Sequence, residues 1–196
     1  MIELRKGQPA VTLAKVPILH ATVAWPDVTD YDVFAVVLYA DGTSEDVSAF
    51  GAHRRRAKMA TDDGAVKHLG DVRRGDGSMA EETVEIRLND RIRAVVPVAY
   101  SAQSNGQGSF RRHQVSLIVD TGDPETTVRV GSANASDNDQ VYSCAIAVIE
   151  NTPDGIVVHG LEEYSRPRSE NRPEVRLTNG SVDVRMDAGP RNDYKK

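Results

Sequence analysis

The chain has 196 residues, of which 39% are hydrophobic and 27% charged, so its length fits one packed domain with a short extension. The 24 Lys and Arg residues are outnumbered by 29 Asp and Glu residues, and the net charge of -5 excludes binding of nucleic acid mainly through phosphate neutralisation. One cysteine, Cys144, excludes a disulfide framework and a thiolate zinc cage, and the lack of an apolar leader or long apolar run predicts a cytoplasmic protein without membrane insertion.

Short apolar runs separated by turn residues, with almost no helical spacing, predict an all-β protein. We expect strands at Ile18 to Trp25, Tyr31 to Ala40, Ala65 to Leu69, Thr83 to Leu88, Ala94 to Tyr100, Gln114 to Asp120, Val128 to Val130, Tyr142 to Glu150 and Ile156 to Gly160. Their spacing predicts a two-sheet antiparallel β-sandwich. The runs 34–40 and 94–100 are apolar on both faces and should be central. Only 53–60 is compatible with a helical turn.

The sequence predicts a C-terminal β-hairpin with a defined register, because a two-residue turn at Asn179-Gly180 fixes which residues oppose each other. The opposed pairs would be Leu177 with Val182, Val175 with Val184, Arg176 with Asp183 and Glu174 with Arg185. The division that follows is a sandwich domain at 1–164, a linker and hairpin at 165–190, and a frayed tail at 191–196. We expect the polar segment Tyr164 to Pro173 to be exposed.

The segment from Thr61 to Glu82 is rich in acidic residues and glycine. Calcium requires six to eight oxygen ligands, which carboxylates and the backbone carbonyls of a curled loop supply together. A solvated acidic turn has the same composition, because turns also favour Asp and Gly, so composition leaves both interpretations open. The carboxylates are Asp62, Asp63, Asp71, Asp76, Glu81 and Glu82, and the glycines are Gly64, Gly70, Gly75 and Gly77.

The same segment carries a resemblance to a known family. The run Asp63-Gly64-Ala65-Val66-Lys67-His68-Leu69-Gly70-Asp71, with Gly75-Asp76-Gly77 and Glu81-Glu82 after it, resembles the signature of the TerD family of tellurium-resistance and stress-response proteins. Further similar pieces follow in order: Val11 to Lys15, Ala24 to Asp27, Tyr31 to Ala35, Gly108 to Phe110, Leu117 to Asp120 and Ala145 to Val148. The resemblance covers about residues 2 to 164 and leaves the hairpin outside.

The resemblance implies a cytoplasmic, non-catalytic β-sandwich that binds calcium at one end and engages a protein partner. Carried over by position, the candidate metal ligands are Asp32, Asp71, Asp76, Glu81 and Glu82. The chain departs from the family's acidic or amide pattern at Phe34, Val72 and Ala80, which weakens a hard-cation site, and Arg73 and Arg74 can neutralise carboxylates without a metal. The alternative is a degenerate TerD-like interaction module that has lost calcium and uses the Arg54 to Arg56 loop and the hairpin as contact surfaces.

The sequence predicts no catalytic residue. The five histidines are scattered and lack zinc-site spacing, and Ser78 lacks the Gly-x-Ser-x-Gly elbow of a hydrolase. Cys144 lies in an apolar strand, where a buried and inert thiol is the normal state. We therefore expect a protein that is not an enzyme.

Overall fold

The computed structural model describes residues 1–26, 28–71, 79–101, 110–132, 135 and 137–193. The described residues form fourteen strands and no helix, and so none that is long and apolar enough to cross a membrane. The strands are β1 (Ile2–Leu4), β2 (Val11–Leu13), β3 (Leu19–Pro26), β4 (Tyr31–Tyr39), β5 (Ser44–Val47), β6 (Val66–Asp71), β7 (Met79–Ile86), β8 (Ile92–Ser101), β9 (Ser116–Asp120), β10 (Val128–Gly131), β11 (Ser143–Thr152), β12 (Gly155–Tyr164), β13 (Glu174–Thr178) and β14 (Ser181–Arg185).

Two six-stranded sheets form the sandwich. The first sheet has the order β1-β10-β9-β3-β7-β6, and the second has the order β2-β12-β11-β8-β4-β5. All neighbours are antiparallel except β1, which pairs in parallel with β10. The predicted all-β class and two-sheet architecture are confirmed. The segment 53–60 forms no helix: Arg55 and Ala52 close a tight turn in which Arg54 has a φ of 64°.

The central strands β4 and β8 are buried on both faces, as their sequences predict. In β4 the residues Tyr31, Val33, Ala35 and Val37 join the core between the two sheets. The alternate residues Phe34, Val36 and Leu38 belong to a second apolar cluster on the outer face of the second sheet. An antiparallel sheet whose outer face is polar needs a packed layer on its inner face only. The outer face of the second sheet is apolar, so it requires an additional layer.

The C-terminal hairpin supplies that layer. Its register matches the prediction at all four opposed pairs, and Asn179 and Gly180 both have positive φ, at 51° and 80°, as a type I′ turn requires. The apolar face formed by Val175, Leu177, Val182 and Val184 packs against the second cluster. The charged residues pair along each strand rather than across the hairpin, with Arg176 bonded to Glu174 and Arg185 Nε 2.8 Å from Asp183 Oδ2.

The segment that we expected to be an exposed linker is largely packed. Ser165, Glu170 and Arg172 are only 4%, 5% and 3% exposed. These polar side chains are buried because they find hydrogen-bond partners: the backbone N–H groups of Tyr142 and Ser143 donate to Ser165 Oγ, and Tyr100 Oη donates to Glu170 Oε2. Polarity alone therefore gave the wrong environment for this segment.

Arg172 fastens the C-terminal segment to the sandwich. Its Nε donates to Asn192 Oδ1 at 2.7 Å, and its two terminal nitrogens donate to Asp46 Oδ2 and to the carbonyl of Phe50, both at 3.0 Å. The guanidinium carbon also lies 4.7 Å from the ring centroid of Phe34 and 5.1 Å from that of Phe50. One side chain thus joins the strand β5, the following loop, the apolar cluster and the chain end.

The chain end up to Asp193 is also held by backbone hydrogen bonds, although the sequence predicted fraying from residue 191. The N–H of His53 donates to the carbonyl of Arg191 at 2.7 Å, and the N–H of Asp193 donates to the carbonyl of Gly51 at 3.0 Å. The remaining residues of the predicted tail, 194–196, lie outside the described residues.

We predict that Arg172→Ala lowers the free energy of unfolding by about 3 kcal/mol or more, because it leaves Asp46 and several acceptors without a buried partner. Urea denaturation measures the change. The matched control is Arg185→Ala in the same hairpin, where a solvent-exposed ion pair is lost and the change should stay below about 1 kcal/mol. Equal losses in the two variants would contradict the role given to Arg172.

Glu170 gives a second prediction, about pH. Burial raises the pKa of the Glu170 carboxyl, against the hydrogen bond from Tyr100 and the charge of Arg191, and its Oε1 has no hydrogen-bond partner among the described residues. A carboxyl with a raised pKa binds a proton more tightly in the folded state, so it stabilises the fold below its unfolded pKa and loses that contribution as pH rises through its folded pKa.

Glu170→Gln removes this titration while it keeps an oxygen acceptor for Tyr100. We expect the variant to be more stable than the wild type at pH 7, and the difference to shrink as pH is lowered toward 4.5, the ordinary pKa of a glutamate carboxyl. Denaturation of both proteins across this pH range tests it. A difference that stays constant with pH would show that Glu170 does not titrate in this way.

Candidate functional site

The five predicted ligands do not all occupy one place. Asp32, near the start of β4, is 1% exposed, and Glu82 in β7 is 4% exposed. Asp71 ends β6, and its backbone pairs with that of Glu82. Glu81 is exposed to solvent. Asp76 lies outside the described residues, as do Val72, Arg73 and Arg74.

Strand periodicity separates Glu81 from Glu82. Successive residues of a strand point to opposite faces, and in β7 the residues Ala80, Glu82 and Val84 are buried while Glu81 is not. Glu81 therefore lies on the outer face of the first sheet, and Glu82 lies between the sheets. Two adjacent acidic residues in the sequence thus do not form one ligand pair in the fold.

Glu82 and His68 bridge the two sheets at the edge of β4. Val33 pairs with Ala99 of β8 on one side, but the pairing of β4 with β5 ends at Ala35, so no β5 residue lies opposite Val33 on the other side. The N–H of Val33 donates to Glu82 Oε2 at 2.7 Å, and the carbonyl of Val33 accepts from His68 Nε2 at 3.0 Å. The two side chains from the first sheet replace the missing strand neighbour.

The hydrogen bonds define the tautomer of His68. The N–H of Gly70 donates to Nδ1 at 2.9 Å, so Nδ1 carries no proton and Nε2 carries the one donated to Val33. His68 Nε2 also lies 3.6 Å from Glu82 Oε2. The alternation of strand residues puts His68 on the same buried face of β6 as Val66, which indicates a packed histidine. The contact of His68 with β4 is not visible in the sequence.

Asp32 and Glu82 flank Val33 from different directions. By alternation Asp32 lies on the same face of β4 as Phe34, whereas Glu82 reaches the strand edge from between the sheets. Among the described residues no group of three or more His, Cys, Asp or Glu side chains has an arrangement able to hold a metal. The oxygen donors suit calcium chemically, but the further ligands that calcium needs would have to come from 72–78, outside the described residues.

The other acidic residues of the segment Thr61 to Glu82 belong to a surface groove of about 460 Å³ beside β5. Hydrogen bonds from Thr61 and from the backbone of Ala65 lower the pKa of the Asp63 carboxyl, and Lys58 Nζ lies 2.8 Å from Asp62 Oδ1. The Asp63 carboxylate thus stabilises a turn through hydrogen bonds, and the Asp62 carboxylate is neutralised by Lys58. This part of the acidic segment therefore matches the interpretation as a solvated turn.

Cys144 and His113, two groups capable of covalent or proton-transfer chemistry, are buried. Cys144 is fully buried, and desolvation raises the pKa of its thiol. His113 is 6% exposed, desolvation lowers its pKa, and its Nε2 has no hydrogen-bond partner among the described residues. Neither residue lines one of the described grooves beside β5 or on the first sheet.

Comparison with protein-family models gives no match, and comparison with curated proteins gives none either. The resemblance to the TerD family thus depends on the order of the sequence pieces alone, and it stays a hypothesis.

We predict that Glu82→Ala lowers the free energy of unfolding by about 1–3 kcal/mol, because it leaves the buried N–H of Val33 without an acceptor. Glu82→Gln keeps a side-chain carbonyl oxygen for that N–H and should lose less. Denaturation measures both, and hydrogen exchange of the Val33 amide should accelerate in the alanine variant only. Unchanged exchange in Glu82→Ala would disprove the bridge.

Proposed function

We propose that this protein is a non-enzymatic, cytoplasmic TerD-like stress-response domain that binds calcium at the β4, β6 and β7 end and engages a protein partner there. The observation that carries the proposal is the burial of two carboxylates, Asp32 and Glu82, on either side of Val33. Asp71 pairs with Glu82 at the point where the segment 72–78, which carries Asp76, begins. In this proposal the ligands come from Asp32, Asp71, Asp76 and Glu82, and Glu81 is excluded.

Burial of carboxylates favours a cation at this end. Moving a carboxylate out of water is expensive unless a charge or several hydrogen bonds compensate it. A divalent ion would supply such a charge, and calcium accepts the irregular oxygen geometry of a loop better than magnesium does. The cation would thus stabilise the folded state by mass action.

The bridge at Val33 gives the cation a route to the rest of the domain. Because Glu82 and His68 bond to the backbone of β4, a change in the position of Glu82 acts on both sheets. Exposed apolar side chains lie at the same end: Val28 is 81% exposed, Leu69 52% and Met79 41%. Exposed apolar groups beside a charged loop are typical of a protein-binding surface, which supports a protein partner.

The assignment as a non-enzyme is supported by the state of the reactive groups. The Cys144 thiol is buried with a raised pKa, and both ring nitrogens of His68 are engaged with backbone groups. A general base needs a free nitrogen within reach of a nucleophile or substrate proton. A binding role therefore fits these residues better than a catalytic one.

The alternative is a calcium-free interaction module, and one observation favours it. Glu82 Oε2 already accepts a hydrogen bond from Val33, so the carboxylate has a structural role without any metal. The contact surface of this alternative would combine the Arg54 to Arg56 loop with the C-terminal segment, whose residue Asn192 pairs with Ala52 just before that loop.

We predict that calcium raises the melting temperature of chelator-treated protein and that magnesium raises it less. Asp71→Ala should remove most of the effect, since it deletes a carboxylate at the start of the loop. Glu81→Gln is the matched control: it removes one negative charge from the outward face of the same strand and should leave the calcium response intact. Differential scanning fluorimetry and calorimetry measure these responses.

The two proposals give opposite results. If millimolar calcium changes neither the melting curve nor the amide exchange of residues 62–82, the calcium-free module is the better account. If Glu81→Gln abolishes the response as completely as Asp71→Ala does, the effect is general charge screening and the assigned ligands are wrong.

A further inference from the structure

Three charged grooves formed by described residues differ in how their charges are balanced. The acidic groove beside β5 is a cluster of carboxylates with nothing further that indicates a ligand. A basic groove near Arg55 and Arg172 is neutralised internally, since Asp46 lies within 3.7 Å of the first and 3.0 Å of the second, and Lys58 is paired with Glu45. The third groove differs from both.

We name the third one the arginine groove. It has a volume of about 350 Å³ and is open to solvent on the outer face of the first sheet. Its lining is Arg111, Gln114, Ser116, Arg129, Gly131 and Ser132, with no carboxylate among these residues. Two cations and several neutral hydrogen-bonding groups thus converge on one space in a chain whose net charge is -5.

The pairing of β9 with β10 builds the floor of the arginine groove. Ser116 opposes Gly131, and these two residues face outward because Leu117 and Val130 point into the core. A Cβ built on Gly131 would meet no atom within 4 Å, and its φ lies outside the left-handed region. The glycine therefore leaves the space beside Gly131 open rather than relieving backbone strain.

A tight turn forms the wall. The N–H of Gln114 donates to the carbonyl of Arg111 at 3.2 Å, and Gln114 has a φ of 47°, a conformation that non-glycine residues adopt rarely. The hydroxyl of Ser132 donates to the carbonyl of Phe110 at 3.0 Å, which fixes the turn to the end of β10. The turn is held so that Arg111 and Gln114 stand beside the strand that carries Arg129.

The arginines have little compensation within the protein. Arg111 forms no ion pair with any described residue, and the Arg129 guanidinium is 4.0 Å from a largely exposed Glu3 carboxylate. In the other two grooves most cationic side chains form ion pairs with carboxylates. The lack of such pairs is therefore specific to the arginine groove. Attraction of an anion to this place cannot come from the overall charge, which is negative.

We propose that the arginine groove binds the phosphate monoester group of a small molecule. Guanidinium groups bind phosphate oxygens through paired, charge-assisted hydrogen bonds, and a dianionic phosphate balances both arginine charges where a carboxylate balances one. Ser116 and Gln114 add a hydroxyl and an amide for the remaining oxygens, and the volume leaves room for the organic part. This proposal is independent of calcium, because it uses other strands and other side chains.

The test is an amide NMR titration of the full chain at pH 7.5 and constant ionic strength with glycerol 3-phosphate, inorganic phosphate and acetate. At this pH phosphate is mainly the dianion. We expect saturable shifts confined to residues 110–116 and 129–132, tightest for glycerol 3-phosphate and absent for acetate. Arg111→Gln and Arg129→Gln should each weaken binding about tenfold, as loss of a charged hydrogen bond does.

Gly131 provides a matched pair of variants, because a side chain at this position points into open space and both proteins should fold. Gly131→Asp places a carboxylate in the groove and should abolish binding, whereas Gly131→Ala should retain it. Arg185→Gln, on the hairpin, controls for loss of one positive charge elsewhere. Amide dispersion in each spectrum shows whether the variant is folded.

Each other outcome overturns the proposal. Shifts spread over the surface, or equal effects of Gly131→Asp and Gly131→Ala, would show that the groove is not a site. Equal weakening by Arg185→Gln and Arg111→Gln would show general electrostatics only. Equal affinity for inorganic phosphate and glycerol 3-phosphate would reject the assignment to a phosphate ester.

Discussion

Strands β4 and β8 are apolar on both faces, and the remaining structure satisfies the burial that this requires. The first sheet covers one face through the core that includes Val33 and Val37. The C-terminal segment covers the other face, where Phe34 and Val98 lie under the hairpin. Apolar contacts alone do not hold the hairpin in place, since a two-stranded hairpin is marginally stable in water, so both ends of the C-terminal segment must also be bonded to the sandwich. Arg172 fixes one end with its buried hydrogen bonds, and backbone pairing at 51–53 fixes the other. The C-terminal segment is therefore a third layer of the domain, although the sequence suggests an appendage.

A similar constraint at a strand edge explains the bridge at Val33. Where β5 stops, the backbone of β4 still needs hydrogen-bond partners, because orphaned buried N–H and C=O groups are destabilising. Glu82 and His68 satisfy one group each from the opposite sheet. A carboxylate in this role does more than replace a strand, because it also places a buried acidic group beside the segment 72–78, which carries Asp76. Glu82 thus supplies the hydrogen-bond acceptor that the fold requires, and the same residue is a proposed ligand of the cation.

Alternation and turn chemistry predicted most of the fold. The hairpin register followed from Asn179-Gly180, and the central strands followed from their two-sided apolar runs. The edge strands Ile2–Leu4 and Ser44–Val47 were missed because three or four residues carry too little periodicity, and the second is polar. The environment of Arg172 was not predictable, since its partners Asp46, Ser48 and Phe50 lie more than 100 positions away. The division between Glu81 and Glu82 was predictable from strand period, but a ligand set carried over from a family by position ignored it.

The first sheet also determines how far two charged sites on this protein can influence each other. Ala24 in β3 pairs with Ser116 on one side and with Glu81 on the other, so the arginine groove and the outward carboxylate of β7 are two strand spacings apart, roughly 10 Å. That separation is close to the Debye length of about 8 Å at physiological ionic strength, so direct interaction across the solvent-exposed face is weak. Glu82, on the buried face, is further shielded by the sheet itself and by its bond to Val33. The proposed cation beside Glu82 and the proposed anion beside Arg129 would therefore act on separate hydrogen-bond networks, with β3 lying between the strands that carry them.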